Sequence, residues 1–273
     1  MPKKISEYKN LVIVRGAGDI ASATIYRLFQ SGFAVLALEV DKPTVIRRTI
    51  AYASAVTAGK VTVEGLTALR CNSENDIAEA LAAGTIPICV DPDGSWIREL
   101  KPIAVVDAIL AKKNLGTNKE MAPIVIGLGP GFIAGMDVDV VIETNRGHNL
   151  GRVIYSGTAA KNTGIPGSID GYTHERVIRA PAAGVLRIVR DIGSSVVSGD
   201  CLANIGSSEV TTKIAGVVRG MIADNSVVFE GMKIADVDPR NNADYCRTIS
   251  DKARNLSGGV LEAILHLKQE CLK

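Results

Sequence analysis

Aromatic residues are scarce in this chain: Phe, Trp and Tyr make up 4% of 273 residues, with a single Trp. A core must therefore be built from Val, Ile, Leu and Ala, which suits an α/β sheet. Long apolar runs are missing as well. No stretch approaches the ~18 apolar residues of a membrane helix, so no membrane partner is expected. The first residues, Met1 to Asn10, are polar and lack the apolar segment of a secretory signal. Neither sign of charge is in excess. A net charge of +2 is too balanced to argue for a nucleic-acid surface. The five cysteines (Cys71, Cys89, Cys201, Cys246 and Cys271) form no CxxC pair, which predicts reduced thiols in a cytoplasmic protein and no zinc ribbon. The histidines are His148, His174 and His266, too few for a three-histidine metal site, and no metal is expected. A Walker A loop and a GxSxG nucleophile elbow are both absent, which removes P-loop and serine-hydrolase chemistry.

What is present is a set of glycine turns at strand ends. Leu11 to Val14 is a continuous apolar run, as in a strand covered on both faces. It enters Arg15-Gly16-Ala17-Gly18-Asp19-Ile20-Ala21, a GxGxxA turn, then a helix pattern through Gln30 that stops at Gly32. A second strand, Ala34 to Leu38, closes on Glu39, near the position that contacts a ribose in dinucleotide folds. Gly16 and Gly18 are thus candidates for a phosphate, with Asp19 beside them. These glycines would equally serve close helix–strand packing, and the Asp19 charge sits where a pyrophosphate would prefer none.

Further strand patterns cover residues 60–63, 86–90 and 103–106, with a helix over 73–83 capped by Ser73 and carrying Asp76 in its first turn. The alternation predicts a Rossmann-like, mostly parallel, doubly wound sheet. A second turn, Leu128-Gly129-Pro130-Gly131-Phe132, lies between apolar runs at 124–126 and 138–142. It precedes the charged cluster Glu143-Thr-Asn-Arg146-Gly147-His148. A glycine turn at a strand end leaves main-chain N–H groups free for an anion. Arg146 and Arg152 would supply bidentate phosphate contacts that Lys cannot, and Arg47 and Arg48 would add to the cluster. Glu143 and His148 are catalytic candidates, His148 as a proton carrier near neutral pH. Cys71, just before the Ser73 cap, is the most plausible reactive thiol. In each case a solvated charge or a buried small hydrophobe is the competing reading.

From Val177 the texture changes to short strands in two copies offset by 32 residues. Ala183-Gly184-Val185 recurs as Ala215-Gly216-Val217, and Arg187, Val196, Gly199, Ala203 and Ile205 match Arg219, Val228, Gly231, Ala235 and Val237. Two copies this small are expected to pair into one β domain. The tail returns to helix, with Ser257 as its cap and Val260, Leu261, Ile264, Leu265 and Leu267 on the packing side. The expected organisation is an α/β domain over 1–173, a β domain over 174–240 and a helix over 241–273 that docks on the first.

Two resemblances follow from these residues. The repeat resembles the barrel-sandwich hybrid of biotinyl and lipoyl carrier domains. In those carriers the modified lysine sits on the hairpin joining the halves. Here that hairpin reads Gly206-Ser-Ser208-Glu209-Val210, so the likeness implies the fold but neither biotin nor lipoate. Across nearly the whole chain, Arg15-Gly-Ala-Gly-Asp-Ile, Pro43-Thr-Val-Ile-Arg-Arg48, Gly127-Leu-Gly-Pro-Gly-Phe132, Glu143 to Arg152 and Thr248 to Arg254 are similar to the YqeB family of the selenium-dependent molybdenum hydroxylase system. That family is distantly like XdhC, which loads molybdenum cofactor into a hydroxylase. The resemblance implies an accessory or maturation role, a molybdopterin-type or nucleotide cofactor, and a molybdenum hydroxylase client as partner. Two other readings stay open: an NAD(P)-dependent oxidoreductase using Gly16, Gly18 and Glu39, and a non-catalytic interaction module. Whether any reaction is catalysed and whether the chain forms a homo-oligomer are both left open.

Overall fold

The computed structural model describes residues 4–270, the side chain of residue 270 excepted. Cys271 lies outside the described residues. The chain divides into two units. The first runs to Pro43, takes up Ala51–Asn162 and resumes at Ile249; the second comprises Thr44–Ile50 and Thr163–Thr248.

The first unit holds a nine-stranded sheet. Its strands are β1 (Leu11–Arg15), β2 (Ala34–Glu39), β3 (Lys60–Val63), β4 (Leu66–Cys71), β5 (Ile86–Val90), β6 (Ala104–Asp107), β7 (Ile124–Leu128), β8 (Val140–Ile142) and β9 (Val153–Ile154). They lie in the order β3-β4-β5-β2-β1-β6-β7-β8-β9. Every neighbouring pair from β4 to β8 is parallel, and the two outer pairs are antiparallel. β1, β7 and β8 are buried at every position, as continuous apolar runs covered on both faces must be. Ile13, Leu36, Val105, Val125 and Val141 carry one core across the sheet.

The helices of this unit are α1 (Asp19–Gln30), α2 (Ala55–Ala58), α3 (Glu74–Ala82), α4 (Ser95–Leu100) and α5 (Asp251–Glu270). A capping box starts α3: the Asp76 amide donates to Ser73 Oγ at 3.2 Å, and the Ser73 amide donates to Asp76 at 3.1 Å. α5 packs on α1 and on β7 to β9. Its start corrects the assignment of Ser257 as its cap. Asp251 opens the helix, and Ser257 is an interior residue whose hydroxyl donates to the Arg254 carbonyl at 2.8 Å and accepts from Arg27 Nε at 2.8 Å. Two residues on, Gly259 is needed because the Gly151 carbonyl lies directly against it.

The second unit contains β10 (Val177–Arg179), β11 (Gly184–Ile188), β12 (Ser195–Val196), β13 (Cys201–Ile205), β14 (Ser208–Thr211), β15 (Gly216–Met221), β16 (Val227–Val228) and β17 (Lys233–Asp238). The first four strands come from the first copy of the repeat and the last four from the second. They form two four-stranded antiparallel sheets, β10-β17-β15-β12 and β14-β13-β11-β16. Each sheet takes the second and fourth strands of one copy and the first and third of the other. Leu186, Leu202, Val218, Ile234 and Val237 fill the core between the copies.

The same unit holds a chain of ion pairs. Arg176 meets Asp236 at 2.5 Å, Arg219 bridges Asp236 and Asp238 at 3.4 and 3.0 Å, and Arg240 meets Asp238 at 2.6 Å. Two boundaries differ from the sequence expectation for local reasons. The Met221 amide donates to the Ile46 carbonyl at 2.8 Å, which holds Thr44–Ile50 in this unit. Cys246 is buried and donates to the Val218 carbonyl, so residues 241–248 belong here rather than with α5.

Candidate functional site

Parallel strands bring the ends of β1, β2, β6, β7 and β8 to one edge of the sheet, and with them Gly16, Glu39, Asp107, Gly129 and Glu143. Edges of this kind are where open α/β sheets bind ligands. Not every candidate faces a ligand there.

The β1 turn is tight. Gly16 has φ +90°, and a Cβ on it would stand 3.1 Å from the Ala108 carbonyl, so this glycine is required by packing. Gly18 is the N-cap residue of α1, and no side chain caps the helix. Gly18 brings no side chain to the first-turn amides, and Asp19 is the first helical residue. Glu39 does not stand free for a ribose. Its carboxylate accepts from the Ala17 and Val40 amides, both at 2.9 Å, and so braces the turn from beneath. Arg15 is buried and paired with Asp107 at 3.5 Å. Thr117 is buried and donates to Asp107 at 2.6 Å, which pins the polar 112–121 connection here.

The β7 turn is explained by packing. The Gly129 amide donates to the Ile142 carbonyl at 2.9 Å and is not available to an anion. Gly131, at φ +116°, lies so near the Lys113 main chain that a Cβ would stand 2.8 Å from it. Gly129 and Gly131 therefore let two loops approach each other, which corrects their reading as an anion cradle.

Glu143 is buried at the end of β8, and its oxygens accept from the Asn145 and Ala160 amides, each at 2.7 Å. It clamps the 144–160 loop and is not placed as a proton carrier. Arg146 reaches Asp251 at the start of α5 with a two-pronged contact at 2.9 and 3.2 Å, and not Glu143. His148 is exposed. Arg152 makes no ion pair or side-chain hydrogen bond among the described residues; it lines a cavity of about 400 Å³ with Glu143, Asn149, Ile154, Tyr155 and Ser156. Arg47 and Arg48 leave this site altogether. Arg47 donates to the Tyr245 and Thr248 carbonyls at 2.8 and 3.0 Å, and Arg48 pairs with Asp191 at 2.5 Å, all within the second unit.

Cys71 is corrected as a reactive thiol. Burial, joined by the Asp76 charge, pushes it up to about 11, the opposite of an activated thiolate. The acid that completes the α3 cap is the same acid that disfavours the thiolate. Cys246 is likewise raised, by burial, against the pull of Arg47 and Arg219.

A further residue of the Thr248 to Arg254 motif bears on this edge. Lys252, in the first turn of α5, is half-buried, and burial pushes its amine below the usual lysine range. Arg146 lowers it further, while Asp19, Glu143 and Asp251 oppose the fall. Lys252 thus stands within electrostatic reach of both the β1 turn and the β8 loop. Among the described residues no helix is long and apolar enough to cross a membrane.

No family model matches the chain. Over 263 residues it is 53% identical to a protein of Escherichia coli (strain K12) described as uncharacterized protein YqeB, covering 96% of this chain and 49% of that one. The chain therefore spans about half the length of the curated relative it matches. Among solved structures, a product-bound ectoine utilization protein EutE (DoeB) from Ruegeria pomeroyi is similar at 13% identity over 84% of each chain, with a TM-score of 0.26. An aspartoacylase family protein from Mesorhizobium loti gives 11% identity over 83% of this chain and 84% of that one, with a TM-score of 0.28. Likenesses this low carry no argument about fold or activity. The identity to YqeB, in contrast, supports the family resemblance that the five sequence motifs carry.

Proposed function

We propose that this chain is an accessory or maturation factor for a selenium-dependent molybdenum hydroxylase, binding a molybdopterin-type or nucleotide cofactor and a client enzyme. The observation that carries the reading is the edge between β1 and β8. There the glycine-capped start of α1, Arg146 and the half-buried Lys252 occupy one electrostatic neighbourhood. These residues fit the phosphate of such a cofactor: main-chain amides and fixed cations are what a phosphate needs. The Gly18–Asp19 turn, Arg146 and Lys252 would hold it, and Arg152 offers a cation in the neighbouring cavity. When bound, the cofactor supplies the molybdenum centre destined for the client; the chain's residues bind and orient it.

The run β5-β2-β1-β6-β7-β8 has the strand order of a doubly wound dinucleotide fold, which supports a Rossmann-like first unit. The interleaved copies of the second unit support the barrel-sandwich hybrid. Docking of a client is supported by Val227 and Phe229, 80% and 66% exposed, beside the exposed Val185 that pairs with Val227. The same patch favours a purely non-catalytic interaction module as the second reading. The NAD(P)-dependent oxidoreductase is disfavoured because Glu39 is already engaged by two amides.

Native mass spectrometry of protein purified from a host that makes molybdenum cofactor tests the proposal. A retained pterin nucleotide is the expected result. Retained NAD(P) would favour the oxidoreductase, and a chain that carries nothing would favour the interaction module.

A further inference from the structure

We propose that the cavity between α4 and the connection to β7 binds a small amphipathic anion, an apolar body carrying one carboxylate. The proposal does not rest on the cofactor reading, because the cavity contains none of the residues assigned to the β1–β8 edge.

The cavity arises from a departure in the crossover pattern. Connections between parallel strands normally carry a helix that covers one face of the sheet. α1 does so between β1 and β2, α3 between β4 and β5, and α4 between β5 and β6. The connection from β6 to β7, residues 108–123, holds only one 3₁₀ turn, Lys119–Met121. So short a turn covers less of the sheet than a helix does, and a cavity of about 700 Å³ is left beside α4. Small-molecule sites span roughly 300–1,000 Å³, so this one is large enough. Ile97, Ile103 and Met121 give it an apolar lining, joined by Pro102 and Pro123. Its walls are tied from behind. Buried Arg15 donates to the Pro92 carbonyl at 3.2 Å, just before Gly94 of one wall, and to the Leu115 carbonyl at 3.4 Å. Thr117, next to Asn118 of the other wall, is held by Asp107. The cavity is therefore formed before a ligand arrives.

The charged groups at its rim are not engaged by the fold. Arg98 and Lys101 make no ion pair and no side-chain hydrogen bond among the described residues. Lys101 also has φ +46°, directly before Pro102, where glycine is the easy choice and a residue preceding proline is normally extended. A strained residue whose side chain makes no contact in the fold points to a ligand contact. Glu120 lies on the opposite wall, and its carboxylate likewise has no partner among the described residues. Two cations against one carboxylate leave a single positive charge, which one carboxylate balances and a doubly charged phosphate exceeds.

The test is a titration of the full chain, carbon-13-labelled at its methionine methyl groups, with 2-naphthoate, followed by NMR. The Met121 signal, identified by its loss in Met121→Leu, should shift saturably. Met136, which is exposed, and Met221, which is buried in the second unit, should not respond. Arg98→Gln and Lys101→Gln should each weaken binding about two- to fivefold, as expected for an exposed charge pair, and Glu120→Gln should tighten it. A Met121 signal that stays fixed up to millimolar 2-naphthoate overturns the proposal, whether or not the variants fold. An equal response of the wild-type chain to neutral 2-naphthamide overturns it as well, because the cavity would then select no charge.

Discussion

Replacing Glu143 by Gln should loosen the loop that carries Arg146 and Arg152 while leaving the sheet intact. The carboxylate accepts two short hydrogen bonds, from Asn145 and Ala160, at the end of a strand buried throughout. Hydrogen bonds to a charged group contribute roughly 1.5–3 kcal/mol each. A glutamine keeps one acceptor oxygen but turns an NH₂ donor toward the other amide, so one bond is lost outright and a donor is left facing a donor. A local loss of about 1.5–3 kcal/mol corresponds to roughly ten- to hundredfold faster opening. The main-chain bonds from Glu143 to Arg152 and from Gly151 to Glu143 survive the change, so the loop should open between its ends and stay anchored at the strand. Amide hydrogen exchange read by mass spectrometry is the assay. Peptides covering 144–160 should exchange faster, and those covering β1 should not. Unchanged exchange in the loop would show that the carboxylate is no clamp. Equal acceleration across β1 would show that it serves the core instead.

Three further outcomes are expected. Arg146→Ala should shift thermal stability by less than about 1 kcal/mol, because its partner Asp251 is exposed, yet it should weaken binding of the phosphate ligand; calorimetry with pyrophosphate titration reads both. Asp238 is raised by burial but lowered further by hydrogen bonds from Arg240 and Arg219, to about 2, below its unfolded value. Its contribution is therefore complete above that unfolded value and lost as pH falls through about 2, so acid unfolding followed between pH 4 and 2 should be eased by Asp238→Asn at the upper end of that window. Cys71 should resist iodoacetamide at pH 7.5 in the folded chain and react on unfolding, because its thiol stands near 11; rapid labelling of the native chain would refute the burial argument.

The sheet could be read from the sequence because each central strand is a short, unbroken apolar run, a pattern that only double coverage explains. The repeat was visible because both copies need the same residues at the same turns. Other features depended on distance. The partner of Arg146 lies 105 residues away, and no local pattern distinguishes it from the nearer Glu143. Gly129 and Gly131 look identical in sequence whether a turn cradles an anion or makes room for the Thr144 side chain and the Lys113 main chain. Ser257 is a good capping residue in sequence, and only its bonds to Arg27 and to the Arg254 carbonyl show that it lies inside a helix begun at Asp251. Lys252 went unnoticed because a lysine in a first turn reads as a solvated charge until its burial is known.

The strand order of the second unit has a consequence for how that unit can be divided. A peptide holding only β10 to β13 supplies the two central strands, β13 and β11, of one sheet and the two edge strands, β10 and β12, of the other. Alone, it cannot complete either sheet and leaves its apolar side uncovered. Two identical copies of it, however, can exchange first and third strands and close both sheets at once. A half-length fragment is therefore expected to need a second copy beside it, as each half of the intact unit has the other half joined to it in a single polypeptide.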